Sequence, residues 1–584
     1  MPSRNAQLAG VFEDMALLTE VLGGNRFKVI AYQKAARVVG EMTRDVGDFS
    51  RSELTAMEGI GTGAADRTLE YVETGKIADF EKLAKQVPPG VLDVMNIPGV
   101  GPKSASVFWK QLGVESVHDL KAKLGSGEVA ELKGFGPKKV QNIEKALKFA
   151  ESAGRRVRIG TAYRLANLFV DSLRGLPGVE AVEYAGSLRR GKETIGDVDV
   201  LAAVDPSDEA KVSAVFDAFA THDAVDEVIL RGDTKCSVRM GNEFKGMQAD
   251  LRVVTPESFG AALMYFTGSK EHNVKMRERA IARGMSLNEY GLTKDDKATV
   301  VAANREEDVF AALDLAWVPP ELREDRGELK LAETGEVPEL LELADIRAEL
   351  HTHTTASDGV WSIEENARGA AARGFHTVAI TDHSRGQVQA NGLTAERLEQ
   401  HIIAVRQVAE KLKGTITVLA GSEVDILTDG GLDYPDELLA ELDIVVASPH
   451  ASLQQDPKTS TMRLLKAIEN PYVTIVGHPT GRIVNRREGM SPDIEALAKA
   501  AAQRGIALEI NANPYRLDLR DTHVRVALEH GCKLAINTDA HGESDLDHLR
   551  FGVLTARRGG ATKADVVNAM GQAALRKWIA STRP

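Results

Sequence analysis

Seven apolar runs in residues 346–584, each closing on histidine, carboxylate or asparagine, constrain the fold more than any other feature of the chain. They are Glu349 to His353, Val378 to His383, Val418 to Glu423, Ile444 to His450, Val473 to His478, Ala507 to Asn511 and Ala535 to His541. Helix-sized segments separate them, and Ser362-Ile363-Glu364-Glu365 supplies a capping box for the first helix. Strands alternating with helices predict a parallel sheet. Seven such units predict a closed or distorted (β/α)7 barrel, with its chemistry at the strand C-termini.

The polar residues stand where that rule wants them. Of 14 histidines, 11 fall between His351 and His548. Nine candidate ligands emerge: His351, His353, Asp358, His383, Glu423, His450, His478, Asp539 and His541. Nitrogen and carboxylate ligands without thiolate suit Zn²⁺, Mn²⁺ or Fe²⁺, and nine are enough for two or three ions sharing a carboxylate bridge. His376, His401, His523, His530 and His548 are read as structural.

A second motif runs from Gly186-Ser187-Leu188-Arg189-Arg190-Gly191 into Lys192-Glu193-Thr194-Ile195-Gly196-Asp197-Val198-Asp199-Val200-Leu201. Side chains in a strand switch faces at every residue, so Asp197 and Asp199 point one way while Val198 and Val200 point into a core. Two adjacent carboxylates repel unless a cation lies between them, which makes the pair a bed for Mg²⁺ or Mn²⁺ in phosphoryl transfer. Gly186 lets backbone approach a phosphate, Ser187 donates one hydrogen bond, and Arg190 forks onto two phosphate oxygens.

Three or more domains are expected of 584 residues. Cys236 and Cys532, far apart in sequence, supply neither a disulfide framework nor a thiolate zinc site. The start Met1-Pro2-Ser3-Arg4-Asn5 leads into no apolar signal core, and no run approaches membrane-spanning length, so a soluble protein of a reducing compartment, the cytoplasm, is expected. The net charge of −13 opposes bulk coating of DNA, yet residues 1–150 are nearly neutral, with 20 Lys and Arg against 19 Asp and Glu. That segment reads as helical. It contains three turns of one form: Glu58-Gly59-Ile60-Gly61-Thr62, Pro98-Gly99-Val100-Gly101-Pro102-Lys103 and Lys133-Gly134-Phe135-Gly136-Pro137-Lys138-Lys139. In each, Gly-apolar-Gly precedes a helix whose free N–H groups can seat a phosphate without reading bases. The turns resemble helix-hairpin-helix motifs.

The Gly186 to Asp199 run resembles the palm signature of family X DNA polymerases, the relatives of polymerase beta. The resemblance implies a third carboxylate, found as Asp250 in Gln248-Ala249-Asp250-Leu251-Arg252. It also implies two metals roughly 3.5 to 4 Å apart on Asp197, Asp199 and Asp250. Tyr265-Phe266-Thr267-Gly268-Ser269 with Asn273 and Arg277 looks like that family's thumb. By position Tyr265, Phe266 and Gly268 then border the incoming sugar, Asn273 the nucleotide's minor-groove edge and Arg277 the template strand. Asn25-Arg26-Phe27-Lys28 with Tyr32 and Ala35 resembles the family's small N-terminal domain. Its Schiff-base lysine positions fall here on Gly63 and Arg67, which removes the nucleophile of a lyase. The nine barrel ligands resemble the PHP domain (polymerase and histidinol phosphatase), every ligand position being filled.

The resemblance thus covers nearly the whole chain and points to bacterial family X polymerases bearing a C-terminal PHP domain. The expected parts are a small DNA-binding domain at 1–85, a fingers-like domain at 86–154, a palm at 155–255, a thumb at 256–317, a linker at 318–345 and the PHP domain at 346–584. The activities implied are filling of gapped or nicked DNA from deoxynucleoside triphosphates, and 3′ to 5′ exonuclease or 3′-end and abasic-site processing, by a monomer. Two alternatives stay open: a DNA-end tethering protein with a relic palm, and a nucleotidyltransferase fused to a small-molecule phosphatase.

Overall fold

Apolar residues at three and four spacing fold the first of two units, Met1–Arg155, into short helices, among them Arg4–Val21, Arg26–Glu41, Thr62–Thr74 and Pro102–Leu112. The computed structural model describes residues 4–41, 46–57, 59–95, 97, 100–137, 139–141, 143–144, 147, 156–244, 246–294, 296 and 299–584. The helix Arg4–Val21 serves two cores. Leu8, Phe12 and Met15 pack with Tyr32 and Ile60, whereas Leu18 and Val21 pack with Phe108 and Phe135. Ile60, Val100 and Phe135, the middle residues of the three glycine turns, are all buried and pin those turns to the cores.

The second unit, Arg156–Pro584, contains two sheets that carry carboxylates. The first has strands β1 (Val179–Tyr184), β2 (Asp197–Val204), β3 (Val225–Arg231), β4 (Lys235–Met240) and β5 (Gln248–Val254), in the spatial order β1-β2-β5-β4-β3. Only the β2–β5 pair is parallel, and its register sets Asp199 beside Asp250. Helices Ile159–Arg174 and Glu209–Ala220 cover the sheet, with the Phe169 and Phe219 rings 4.3 Å apart between them.

Next come helices Phe259–Thr267 and Lys270–Ala282, a small antiparallel sheet and helix Glu306–Ala312, around Met264, Met276, Phe310 and Leu313. The stretch 318–345, expected as a linker, is instead folded onto this element. Glu328–Thr334 is a helix, Val318 and Ala332 join the core, and Arg323 is fully buried. Its charges are accommodated because they find partners: the Arg323 guanidinium meets Glu306 at 2.7 Å, and Glu328 lies 2.8 Å from His272 Nδ1.

All seven apolar runs form strands: β6 (Ala348–Thr352), β7 (Thr377–Ile380), β8 (Thr417–Asp425), β9 (Ile444–Ser448), β10 (Ile475–Val476), β11 (Ala507–Asn511) and β12 (Lys533–Asn537), parallel and in sequence order. Leu350, Leu419 and Val446 meet Leu575 and Ile579 of the helix Gln572–Ser581 in one apolar cluster, while the connecting helices build a larger one. Ser362 and Glu365 form the expected capping box. The seam between β6 and β12 is closed by side chains and one bridge, Thr352 to Ala540, rather than by a ladder. Buried Asn568 donates to the Ala348 carbonyl and to Asn537 Oδ1, and accepts from the Ile536 N–H.

Barrel and first sheet are packed together. Leu517 and Phe551 belong to the core of the five-stranded sheet, and Arg482 donates to Glu193 at 2.6 Å. Among the described residues no helix is long and apolar enough to cross a membrane.

Candidate functional site

The nine candidate ligands of the barrel converge. Three groups place one ligand atom per residue within 4.8 Å of one another: His353, Asp358, His383 and His541; His351, His353, Glu423 and Asp539; and His383, Glu423 and His450. Glu423 joins them. Its Oε2 lies 2.8 Å from His383 Nδ1 and 3.4 Å from His351 Nε2, and its Oε1 lies 2.8 Å from His478 Nε2 and 3.3 Å from His450 Nε2. Strand geometry explains the convergence, since all but Asp358, which stands in the turn after β6, lie close to the C-terminal end of a parallel strand.

Electrostatics inside the cluster are extreme because charge is buried. Burial opposes ionisation of Glu423, yet His450, His351 and His383 outweigh it and hold the carboxyl far below its usual range. Asp539 behaves alike beside His351 and His353. Burial, with the His383 and His541 charges, pulls His353 down to about 4, whereas carboxylates push His450 and His541 up to about 9 against their own burial. His351 Nε2, His353 Nδ1, His383 Nδ1, His450 Nε2 and Glu423 Oε2 are buried without a hydrogen bond. Hard or borderline divalent cations would complete these atoms, so the donor set fits such ions.

In the five-stranded sheet Asp197 is exposed, Asp199 half-buried and Asp250 buried, while Val198 and Val200 enter the core. Burial, then the Asp197 and Asp250 charges, push the Asp199 carboxyl up to about 7. Such uncompensated negative charge fits a cation. Asp250 is held instead by Lys235 at 2.6 Å and by Gln248, which outweigh its burial and lower its pKa. Among the described residues the trio does not reach the spacing found in the barrel. Gly186 adopts φ +61°, and a Cβ there would overlap the Asp199 carboxylate. Arg190 donates to Glu324 at 3.0 Å and to the Thr267 carbonyl, passing under Gly268. Tyr265 and Phe266 meet edge to face at 5.2 Å, with Arg252 over Phe266 at 4.3 Å. Asn273 donates to the Tyr265 carbonyl at 2.7 Å, and Arg277 is exposed on the same helix.

In the N-terminal unit Gly61 and Gly101 cap helices Thr62–Thr74 and Pro102–Leu112, Gly59 and Gly134 take left-handed φ, and Lys103 and Gly136 are exposed. Gly99 and Lys138 lie outside the described residues. Arg67 is committed to Asp79 at 2.5 Å and to the Gly63 carbonyl.

Family models match this order of parts: a helix-hairpin-helix domain over residues 3–77, a SAM-like helix-hairpin-helix tandem over 91–148, the DNA polymerase beta thumb over 262–324 and the PHP domain over 349–513. The DNA polymerase/3′-5′ exonuclease PolX of Bacillus subtilis is 38% identical over 559 residues, which are 96% of either chain. The chain belongs to the PolX family. DNA polymerase lambda of Rattus norvegicus is 27% identical over 52% of this chain and 53% of its own. A protein named probable phosphatase from Thermoanaerobacter sp. (strain X514) is 32% identical over 37% of this chain and 88% of its own.

In this PolX-family chain the polar residues that sequence reasoning passed over lie behind the ligands. Glu509 sits 2.8 Å from His351 Nδ1 and accepts from the His478 N–H, Asp425 holds His450 Nδ1 at 2.6 Å, and Asp382 accepts from Thr354 and Ser357 and lies 2.8 Å from His401 Nε2. Buried Glu349 accepts from Thr538 and is pushed up to about 7 by burial. A signal existed for two of them. Glu349 precedes His351 by two residues and Asp425 follows Glu423 by two, which puts each on its ligand's face of the strand.

Proposed function

We propose that the chain is a DNA-directed DNA polymerase that fills short gaps during DNA repair and whose barrel processes 3′ ends, as a 3′ to 5′ exonuclease or on abasic and blocked termini. The observation that carries this reading is two separate centres in one unit: Asp199 in register with Asp250, and eight of the nine candidate ligands grouped in the barrel, with His478 joined to them through Glu423. Asp197, Asp199 and Asp250 would hold two Mg²⁺ or Mn²⁺, and the barrel ligands two or three Mn²⁺, Zn²⁺ or Fe²⁺. Such ions lower the pKa of a bound hydroxyl or water and stabilise charge on phosphoryl oxygens.

In this reading residues 1–85 and 86–154 grip gapped or nicked DNA through Gly59, Gly61, Gly99, Gly101, Lys103, Gly134, Gly136 and Lys138. Residues 155–255 carry the transfer chemistry, 256–317 position the nucleotide, and 346–584 process ends. Gly186, Ser187 and Arg190 take the triphosphate of a deoxynucleotide, and Arg190 does so by exchanging Glu324 for phosphate. Tyr265, Phe266 and Gly268 flank the sugar, Asn273 the base edge and Arg277 the template. Arg67 forms no Schiff base, so no lyase acts at that position. The enzyme works as a monomer in the bacterial cytoplasm. A tethering protein with a relic palm is disfavoured by the full carboxylate trio.

The test is a Mn²⁺ assay on a 5′-labelled primer at a one-nucleotide gap, with wild type, Asp197→Ala and His353→Ala. Loss of extension alone in the first and of trimming alone in the second is expected. Trimming that survives His353→Ala defeats the barrel assignment. The similarity to a protein named as a phosphatase favours a second substrate for the same centre, a 3′-phosphate. A 3′-phosphorylated primer releases inorganic phosphate if that reading holds.

A further inference from the structure

A cavity of about 520 Å³ opens beside the Gly186–Gly191 turn. Ser187, Arg190 and Lys192 line it from the palm, Arg326 from the segment after the thumb, and Arg520 and Arg558 from the barrel. Arg156 completes the rim, its Nη1 only 3.2 Å from where a Cβ on Gly196 would stand, and Gly196 directly precedes Asp197. The rim of the cavity thus touches the backbone that leads into the strand of Asp197 and Asp199. Its lining sets these cations against two carboxylates, Glu193 and Asp521.

Most of the cations already have partners. Arg558 is used by Glu324, Asp521 and the Arg190 carbonyl, Arg326 by Asp521, Arg156 by Thr194, and Arg190 by Glu324. Two do not share that satisfaction. Arg520 makes no side-chain hydrogen bond or ion pair among the described residues, and its Nε is buried without a partner. Lys192 Nζ stands 3.8 Å from its nearest carboxylate, too far for a hydrogen bond. Burial holds the Lys192 pKa below the ordinary lysine value, and the Arg558 and Arg190 charges add to that against Glu324. Arg520 also stands at the N-cap of the helix Asp521–Glu529, whose positive dipole end adds to the same field. Partly buried cations with unmet donors are costly until an anion meets them. Donors spread over three segments of chain ask for an anion with several phosphate groups rather than one.

We propose that this cavity binds an oligophosphate, with Arg520 and Lys192 as its uncommitted donors, so that the barrel domain completes a phosphate site which the palm only half builds. The inference rests on the palm being a nucleotidyltransferase centre, since that chemistry takes in a triphosphate and releases pyrophosphate. Both sources share one recognition chemistry.

The experiment uses the full chain as wild type, Arg520→Ala and Arg520→Lys. Pyrophosphate, tripolyphosphate and orthophosphate are titrated by calorimetry, and gap filling is measured against deoxynucleotide and added pyrophosphate. Losing one charge-assisted hydrogen bond weakens pyrophosphate binding by about 10-fold or more in Arg520→Ala. Arg520→Lys recovers part of it, and the melting temperature stays at the wild-type value. A raised KM for deoxynucleotide assigns the cavity to the incoming triphosphate tail. A raised pyrophosphate inhibition constant at unchanged KM assigns it to the leaving group. Pyrophosphate binding unchanged in Arg520→Ala, or orthophosphate binding as tightly as pyrophosphate, overturns the proposal. Asp197→Ala separates the two readings: gap filling that survives it removes the palm assignment, whereas pyrophosphate titration of the Arg520 variants judges the cavity directly.

Discussion

Gly186 shows how much one missing side chain decides. Its φ of +61° is a left-handed value, and its backbone passes so close to Asp199 that a methyl group would displace the carboxylate. A left-handed alanine costs about 1–2 kcal/mol. The larger effect falls on the proposed metal bed, where misplacing a reactive group by an ångström costs on the order of 100-fold in rate. Gly186→Ala is therefore expected to lose gap filling by about 100-fold while 3′ trimming stays at wild-type rate, both read on the same gapped primer. Equal loss of both activities would mean that the substitution unfolds the unit instead.

At the scale of elements, the stretch after the thumb is held by buried charge as well as by the apolar contacts of Val318 and Ala332. Glu306 accepts from Arg189 at 2.8 Å and from Arg323 at 2.7 Å, all three being largely shielded from water. Burial opposes the Glu306 charge, but the Arg323 and Arg189 guanidinium groups outweigh it and pull its pKa from 4.5 to about 2. A carboxyl depressed in the folded state contributes stability that is fully present above its unfolded pKa and fades as pH falls through the folded one. Glu306→Gln leaves Arg323 buried without a counter-charge, a loss of about 3–5 kcal/mol. The melting-temperature gap between wild type and Glu306→Gln is expected to be constant above pH 4.5 and to narrow as pH falls toward about 2. A gap independent of pH in that window would assign the stability to shape rather than charge.

For the whole molecule, the limit at residue 346 divides what the structure keeps together. Leu517 and Phe551 of the barrel belong to the palm core, Gly160 approaches Pro514, and Arg482 of the barrel pairs with Glu193 of the palm. Exposing one such Leu or Phe costs about 1.5–3 kcal/mol. Residues 346–584 expressed alone are expected to melt several degrees below 156–584 and to aggregate sooner, by scanning fluorimetry and gel filtration. Equal melting temperatures would make the barrel an independent domain.

What the amino-acid sequence by itself determined is whatever is written locally: seven strands from apolar period and length, nine candidate ligands near their ends, alternating Asp197 and Asp199, and three turns whose buried Ile60, Val100 and Phe135 sit between glycines. Helix and strand periods, caps and positive φ are properties of neighbouring residues, so they are legible without the fold. Tertiary structure alone decided which distant charges meet. The pairing of Arg323 with Glu306 turned an expected linker into packed structure, Glu509 reached His351 across the barrel, and Arg520 came to line one cavity with Ser187. Burial and charge compensation depend on atoms hundreds of residues apart, and no local pattern records them.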